Sequence, residues 1–291
     1  MKVSFVTTIL NEEKSIKDLL DSLVAQIKKP DEVIIVDAGS TDKTLQLIKP
    51  YQKNLIIRII KLKGANRSQG RNRGIKLAKN QIIAVSDAGC TLDKNWLKQI
   101  TKPLEKSKTD SVAGFYQVKA NSIFQRCLSP FVATMPDKFD QKTYLPSSRS
   151  LAFKKSAWQK AGQYPEVLNY CEDLVFAKNL KEKTIMKVEP KALVYWQMPT
   201  SLFSFFNQIK NYAYGDIKAD FLPHRKKILS IYLRYFIFFI LPFGYLLYLI
   251  FTIIKFYKYI NHPLAVIYLP IIRVVVDIAM ILGSLKGKIH S

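Results

Sequence analysis

The sequence predicts an α/β fold built on a largely parallel sheet, followed by an apolar helical tail. Three observations carry that reading. Short β-branched runs alternate with segments of helical apolar periodicity. Two of the runs, residues 33–36 and 82–85, stop on an aspartate and a small-residue turn, Asp37-Ala38-Gly39-Ser40 and Asp87-Ala88-Gly89-Cys90. After Pro223 a mixed composition gives way to long apolar stretches. Ligands of open α/β sheets bind outside the C-terminal strand ends, so two strand-end carboxylates point to one shared crevice.

Taken in order, residues 3–8 form an apolar strand that breaks at Leu10-Asn11-Glu12-Glu13. Ile16, Leu19, Leu20, Leu23, Val24 and Ile27 then recur at three- and four-residue spacing, one apolar helix face able to cover a sheet, and Pro30 ends it. Residues 33–36 are the second strand. Gly39-Ser40-Thr41-Asp42 supplies a turn and an N-cap for a helix through Ile48. Residues 55–60 are the third strand, and a helix over 67–79, rich in Arg67, Arg71 and Arg73 at its start, leads to the fourth at Ile82. Strand and helix alternating at this spacing mean βαβ units.

Beyond Asp87 the pattern loosens. It gives a helix over 94–104, a strand over 112–118, no clean period across 121–144, a short strand at 150–153, a helix near 156–161 and a turn at 162–165. Residues 172–180 read as a helix whose two opening acids sit at the positive end of the macrodipole. A strand at 192–196 precedes Pro199-Thr200, which open an aromatic helix with Phe203, Phe205, Phe206, Tyr212 and Tyr214. That aromatic face is either core or a surface lying on a bilayer.

The tail divides the chain into residues 1–222 and a basic juxtamembrane segment with two membrane helices, residues 223–291. Residues 235–254 hold no charge over the roughly 20 residues that cross a bilayer core. Residues 264–282 are similar but carry Arg273 and Asp277, four apart on one helical face and able to neutralise each other; this segment either spans or is re-entrant or interfacial. The formal charge of +23 is scattered over helices, with its densest cluster, His224, Arg225, Lys226 and Lys227, just before the first apolar stretch. Such a cluster favours anionic headgroups and the cytoplasmic face. No aromatic signature of RNA recognition accompanies it, which argues against a nucleic-acid partner. Cys90, Cys127 and Cys171 are widely spaced without metal-ligand pairing, as befits reduced thiols in a cytosolic domain. Met1-Lys2-Val3-Ser4-Phe5 runs into a strand rather than a signal peptide. The expectation is a multi-pass protein of the cell membrane with its catalytic part in the cytoplasm.

Five motifs, in order and spacing, resemble family 2 glycosyltransferases of GT-A fold. They are Thr8-Ile9-Leu10-Asn11-Glu12-Glu13, Val36-Asp37-Ala38-Gly39-Ser40-Thr41-Asp42-Lys43-Thr44, Arg71-Asn72-Arg73-Gly74, Ser86-Asp87-Ala88-Gly89-Cys90 and Glu172-Asp173. The likeness covers roughly residues 1–222, and residues 194–202 with 212–216 are similar to the segment before the membrane tail in many bacterial members. It implies a nucleotide-diphospho-sugar transferase with a Rossmann-like mixed sheet, inverting at the anomeric carbon. It also implies a nucleotide-sugar donor, a lipid-linked or cell-envelope glycan acceptor beside membrane lipids, and a divalent cation, Mg²⁺ or Mn²⁺.

Residue by residue, Asp37 is implied to accept a hydrogen bond from the nucleobase, which suits the imide N–H of uracil; it also suits a turn before Gly39 and Ser40. Thr8, Leu10 and Glu12 are implied to wall the same nucleoside pocket, the acids otherwise serving a helix start. Asp87, with Ser86 beside it, is implied to hold metal and diphosphate, or else to cap its turn. Many relatives carry a second aspartate two residues on, where this chain has Gly89. One carboxylate can still serve Mg²⁺, which keeps waters and takes phosphate oxygens. Asp93 is either a further ligand or the cap of the helix at Lys94. Arg67 and Arg71 are implied phosphate contacts, or members of a solvated helix face. Asp173 is implied to be the general base that takes the acceptor proton, with Glu172 orienting it or meeting the acceptor; both acids also fit a helix N-terminus. Ser148, Arg149 and Ser150 resemble the loop lining the donor sugar and acceptor entrance. Gln208 and residues 212–216 resemble the acceptor-side helix, except that Tyr214 stands where relatives usually have arginine. The leading reading is a membrane-anchored inverting glycosyltransferase. Gly89 and Tyr214 motivate the alternative, a catalytically silent nucleotide-sugar-binding membrane protein.

Overall fold

In the computed structural model, which describes residues 1–106 and 108–289, the described residues of one unit, Met1–Gln117 with Asp140–Trp196, carry an eight-stranded mixed sheet. Its strands are β1 (Val3–Ile9), β2 (Glu32–Asp37), β3 (Ile57–Lys61), β4 (Ile82–Val85), β5 (Cys90–Leu92), β6 (Ser111–Lys119), β7 (Leu151–Lys154) and β8 (Met186–Gln197). Their spatial order is β3-β2-β1-β4-β7-β6-β8-β5. The first four pair in parallel, Val6 standing opposite Ile34 on one side and Val85 on the other. β7 is antiparallel to both β4 and β6, and β5 to β8. Parallel strands covered on both faces read as unbroken apolar runs, and Val33, Ile34, Ile35 and Val36 are all buried. The mixed sheet is therefore the one expected, with the antiparallel strands all added after Asp87.

Helices α1 (Ile16–Val24), α2 (Thr44–Ile48), α3 (Arg67–Leu77) and α4 (Trp96–Thr101) belong to this unit. The expected apolar helix face stops before Ile27, which is 62% exposed. The helix expected over 94–104 is α4 continued by a 3₁₀ turn at Lys102–Glu105. α3 opens with a capping box, Asn66 accepting from the Gln69 N–H while the Gln69 side chain accepts from the Asn66 N–H, which satisfies two orphan donors at once. Gly70 and Gly74 let α3 lie directly on the sheet. A Cβ at Gly70 would stand 2.5 Å from the Thr8 methyl, and one at Gly74 2.6 Å from a Val6 methyl.

The other unit comprises Val118–Phe139 and Gln197–Ser291. α5 (Ile123–Val132) lies in the stretch that shows no period in the sequence, with Pro130 inside it. α6 (Lys155–Lys160) and α7 (Glu172–Lys183) return to the first unit, whereas α8 (Leu202–Lys218), α9 (Leu222–Ile240), α10 (Phe243–Ile260) and α11 (Ala265–Ile289) complete the second. α5 and α8, read from the sequence as part of residues 1–222, thus cluster with the tail helices. The apolar helix expected over 235–254 is not continuous. It breaks at Leu241, whose φ and ψ of −125° and 77° are non-helical, and Pro242 follows; proline supplies no N–H to carry the ladder on. Residues 264–282 fall almost wholly within α11, where Arg273 Nη1 stands 3.6 Å from Asp277 Oδ1. α10 and α11 are long and apolar enough to cross a membrane by length and composition. α11 packs on α8 through two glycines: a Cβ at Gly283 would lie 2.1 Å from the Lys210 carbonyl oxygen, and one at Gly287 2.9 Å from Ile217 Cβ.

Gly114 of β6 is held to glycine by its neighbours, since a Cβ there would meet Ser150 Oγ at 1.9 Å and the Ala192 carbonyl oxygen at 2.6 Å. That same Ser150 hydroxyl accepts from the Trp96 indole and donates to Ala192. Gly114→Ala should therefore lower stability by at least the 1–3 kcal/mol, roughly, of an overpacked core. Urea denaturation measures it, and an unchanged midpoint would show that the β6–β8 seam can yield.

Candidate active site

Seating α3 on β1 and β2 drives Arg71, which lies between the two glycines, to the C-terminal edge of the sheet. The Arg71 side chain is 3% exposed and bridges two carboxylates. Nη2 donates to Asp87 Oδ1 at 2.7 Å, and Nη1 donates to Glu172 Oε1 at 2.8 Å. The guanidinium also lies 5.3 Å from the centre of the Tyr164 ring, whose hydroxyl pairs with Ser148 Oγ at 2.9 Å. Charge-assisted bonds of this length are the strong kind. One guanidinium thus joins the end of β4 to the start of α7.

The two carboxylates respond in opposite directions. Burial would raise Asp87, but Arg71, and after it Arg149, hold the carboxyl below its ordinary range. Glu172 is pushed up by burial and then by the charge of Asp173, against the pull of Arg71. Burial opposes the charge on Arg71 itself, yet Asp87 and Glu172 outweigh it and raise its pKa. Asp87 is thereby kept anionic, while Glu172 takes a proton more readily than a free glutamate.

Asp173 follows Glu172 in the first turn of α7 but faces elsewhere; it is half-buried, and its Oδ1 accepts from the Leu174 N–H at 2.9 Å. The helix opens on Cys171, a non-glycine residue at φ 65°, ψ 2°. Such left-handed residues are strained and tend to be held in place by function. Asp37, at the end of β2, is buried, and its Oδ1 accepts from both the backbone N–H and the hydroxyl of Ser40, at 3.0 and 2.6 Å. The turn-capping bond is thus real and occupies one oxygen.

Among the remaining residues expected to line the nucleotide, Thr8 packs against α3, Leu10 is exposed and Ser86 is buried. The Glu12 carboxylate accepts from Ser15 Oγ. Its pKa is raised, by burial first, while Ser15 lowers it and the charge of Asp87 raises it further, so Glu12 and Asp87 share one electrostatic neighbourhood. Arg67 is exposed, 5.5 Å from the Tyr170 ring centre, and lowers the carboxyls of Asp87, Glu172 and Glu12. Arg149 lies 4.0 Å above Trp196 and 5.1 Å from Tyr116, cation–π contacts that fix a long side chain. The aromatic partners of these arginines, Tyr116, Tyr164, Tyr170 and Trp196, have no signal in periodicity. Gln208 lies in the second unit on α8, donating to the Tyr212 hydroxyl at 2.7 Å.

A divalent cation fits this site in one form. Among the described residues no group of three His, Cys, Asp or Glu could hold a metal. Asp93 Oδ1 accepts from the Asn95 N–H at 2.8 Å, closing the turn before α4. Asp87 offers the carboxylate, with one oxygen on Arg71. A hard cation would then draw its other ligands from waters and phosphate oxygens, as magnesium commonly does. A Cβ at Gly89 would meet nothing within 4 Å, so the position has room for a side chain. The Cys90 thiol is pushed up to about 12 by burial and by Asp87, which leaves it inert at neutral pH.

The family model for glycosyl transferase family 2 matches residues 4–157, just over half the chain. A poly-β-1,6-N-acetyl-D-glucosamine synthase from Staphylococcus epidermidis is 25% identical over 248 residues, which is 80% of this chain and 60% of that protein. The chain thus spans about three-fifths of that relative's length. A mannosyltransferase from Pyrobaculum calidifontis, solved with GDP-mannose and Mn²⁺, superposes with TM-score 0.67 at 16% identity, covering 99% of this chain and 87% of its own. S. aureus TarS, solved with UDP-GlcNAc, superposes with TM-score 0.57 at 20% identity, covering 73% of this chain and 66% of its own. These likenesses show the GT-A fold.

Removing the guanidinium strands the buried Glu172 carboxylate and unpairs the half-buried Asp87, so Arg71→Gln should cost about 3 kcal/mol, the low end for a broken buried pair. Arg71→Lys should recover part of this, since an ammonium lacks the planar fork. Thermal unfolding compares them. Asp87's share exists above its ordinary pKa of 3.8 and is lost as pH falls through the lower folded value. The unfolded state is common to both chains, and burial of Asp87 and Glu172 is less opposed once Arg71 is gone, so the gap between wild type and Arg71→Gln should narrow as pH falls through the carboxylate range and go on closing below pH 3.8; a variant as stable as wild type at pH 7 would refute the clamp.

Proposed function

The chain belongs to glycosyl transferase family 2, and on that premise we propose that it moves a sugar, with inversion, from a nucleotide-diphosphate donor to a lipid-linked or cell-envelope glycan acceptor at a membrane. The observation that carries the reading is the Arg71 bridge, which ties the strand-end carboxylate of the donor side to the helix start that bears Asp173. In the proposed reaction Asp173 takes the proton of an acceptor hydroxyl as that oxygen attacks the anomeric carbon. The new glycosidic bond forms on one face while the bond to the diphosphate breaks on the other, and its electron pair leaves with the nucleoside diphosphate. Glu172, committed to Arg71, positions the helix start rather than the proton.

Asp37 keeps one carboxylate oxygen outside its turn bonds for a nucleobase N–H, with Thr8, Leu10 and Glu12 alongside. Arg67 and Arg149 supply positive charge around Asp87, which suits a diphosphate. A divalent cation held by Asp87 would neutralise charge developing on that leaving group. The glycan acceptor draws support from the S. epidermidis relative, a poly-β-1,6-N-acetyl-D-glucosamine synthase. Membrane attachment draws support from the two long apolar helices and the basic cluster at His224, Arg225, Lys226 and Lys227. A catalytic unit on the cytoplasmic side follows from that cluster.

Three measurements test the reading. UDP- and GDP-sugars with Mg²⁺ or Mn²⁺ should raise the unfolding temperature of the full chain by mass action, and no shift with any of them would remove the donor assignment. Asp173→Asn should keep that shift and lose about 10²–10⁴-fold in transfer rate; loss of the shift as well would mean the residue binds donor instead. Gly89→Asp adds a second carboxylate where space exists, so less Mn²⁺ should be needed for half-maximal stabilisation by nucleotide.

A further inference from the structure

Both helices able to cross a bilayer by length and composition, α10 and α11, belong to the second unit, and their surroundings oppose crossing in three ways. The first is the neighbours of α11. Its buried face meets α8, with Gly283 against Lys210 and Gly287 against Tyr214 and Ile217. Both sets of numbers rise together, so the two helices run parallel. Towards its N-terminal end α11 meets α5, Phe124 and Tyr268 being in edge contact at 5.7 Å. α8 carries Asn207, Gln208, Lys210, Asn211 and Asp216, and α5 carries Gln125 and Arg126. If α11 spanned a bilayer, α8 beside its C-terminal turns would be drawn towards the hydrocarbon with its polar groups, and polar side chains are strongly disfavoured there.

The second is the bend. A straight helix of 20 residues is about 30 Å long, the thickness of a bilayer core. The break at Leu241 and Pro242 leaves uncharged arms of residues 235–240 and 243–254, about 9 and 18 Å at 1.5 Å per residue. The two helices touch, Arg234 bonding Tyr248 and Phe238 meeting Tyr245 edge to face at 5.5 Å. The third is charge. A crossing segment gathers Lys and Arg on one flank. Here Lys226, Lys227 and Arg234 precede the first arm, Lys255 and Lys258 end the second, and Lys286 and Lys288 end α11.

The unit still exposes much apolar surface. Phe239 and Phe243 flank the bend at 86% and 70% exposure. On α11, Ile267, Ile271, Ile278, Leu282, Leu285 and Ile289 are exposed; their spacing of three, four and seven makes one stripe along the whole helix, on the side away from Gly283. The charged pair of α11 points elsewhere, Asp277 Oδ2 accepting from the Tyr248 hydroxyl at 2.8 Å.

We propose that the second unit is monotopic. α11 lies in the plane of one leaflet with its isoleucine–leucine stripe in the acyl boundary, the α9–α10 bend dips into the same leaflet, and none of these helices crosses. The partner is an anionic bilayer surface, since every basic flank then faces headgroups of one side. The inference stands apart from the sugar chemistry and is tested without it.

Cysteine accessibility decides it. Lys226→Cys, Lys258→Cys and Lys288→Cys each replace an exposed lysine in the full chain, whose own Cys90, Cys127 and Cys171 are buried. In sealed inverted membrane vesicles an impermeant maleimide should reach all three to the extent seen after detergent lysis, or none of them until lysis. A split, with one or two protected, would place the sites on opposite faces and overturn the proposal. Purified protein should also sediment with phosphatidylglycerol vesicles, and a fluorophore on Phe239→Cys should be quenched by lipids brominated on their acyl chains. Failure to bind, or an unquenched label, would equally overturn it.

Discussion

Burying a guanidinium between two carboxylates is the constraint on which the first unit turns. Arg71 is all but excluded from water, and its charge is tolerable because Asp87 and Glu172 accept its hydrogen bonds. For that to happen α3 must sit close on the sheet, which Gly70 and Gly74 permit, and α7 must begin where Glu172 can reach inward. A shift of either helix would orphan a charge rather than merely loosen a contact. Fold and proposed site are therefore held by the same atoms, and Asp87 has a fixed relation to the helix start bearing the proposed base.

Much of this was legible in the sequence, for identifiable reasons. Parallel strands buried on both faces leave unbroken apolar runs, so β2 and β4, with Asp37 at the end of one and Asp87 just past the other, could be read directly. The internal clamp could not. Arg71 and Glu172 are 101 residues apart, and no local pattern separates an arginine that meets phosphate from one that meets a distant glutamate. The aromatic partners of the arginines were silent too, since Tyr164 sits in a turn and Tyr116 and Trp196 lie on antiparallel strands where alternation marks a face but not its purpose. α5 was hidden by Pro130 within it.

The tail shows a different limit. Averaged over residues 235–254, hydropathy is that of a membrane helix, and averaging is blind to one proline that ends the backbone ladder. Composition reports how apolar a segment is; its neighbours determine which face meets lipid. Gly283 and Gly287 have the spacing of a helix-pairing motif inside a bilayer, yet the helix they admit is α8, which carries Lys210, Asn211 and Asp216.

Cys171 carries a further consequence. A left-handed residue without the freedom of glycine does not hold that shape unaided, so the direction in which α7 sets out is imposed from beneath. Phe176, one turn in, lies 4.0 Å from Tyr164 and 5.4 Å from Phe153, ring centre to ring centre. The aim of Asp173, the proposed base, thus rests on a stack of rings in the apolar interior. Repacking those rings would turn the carboxylate, so damage to the proposed reaction can begin well beneath it.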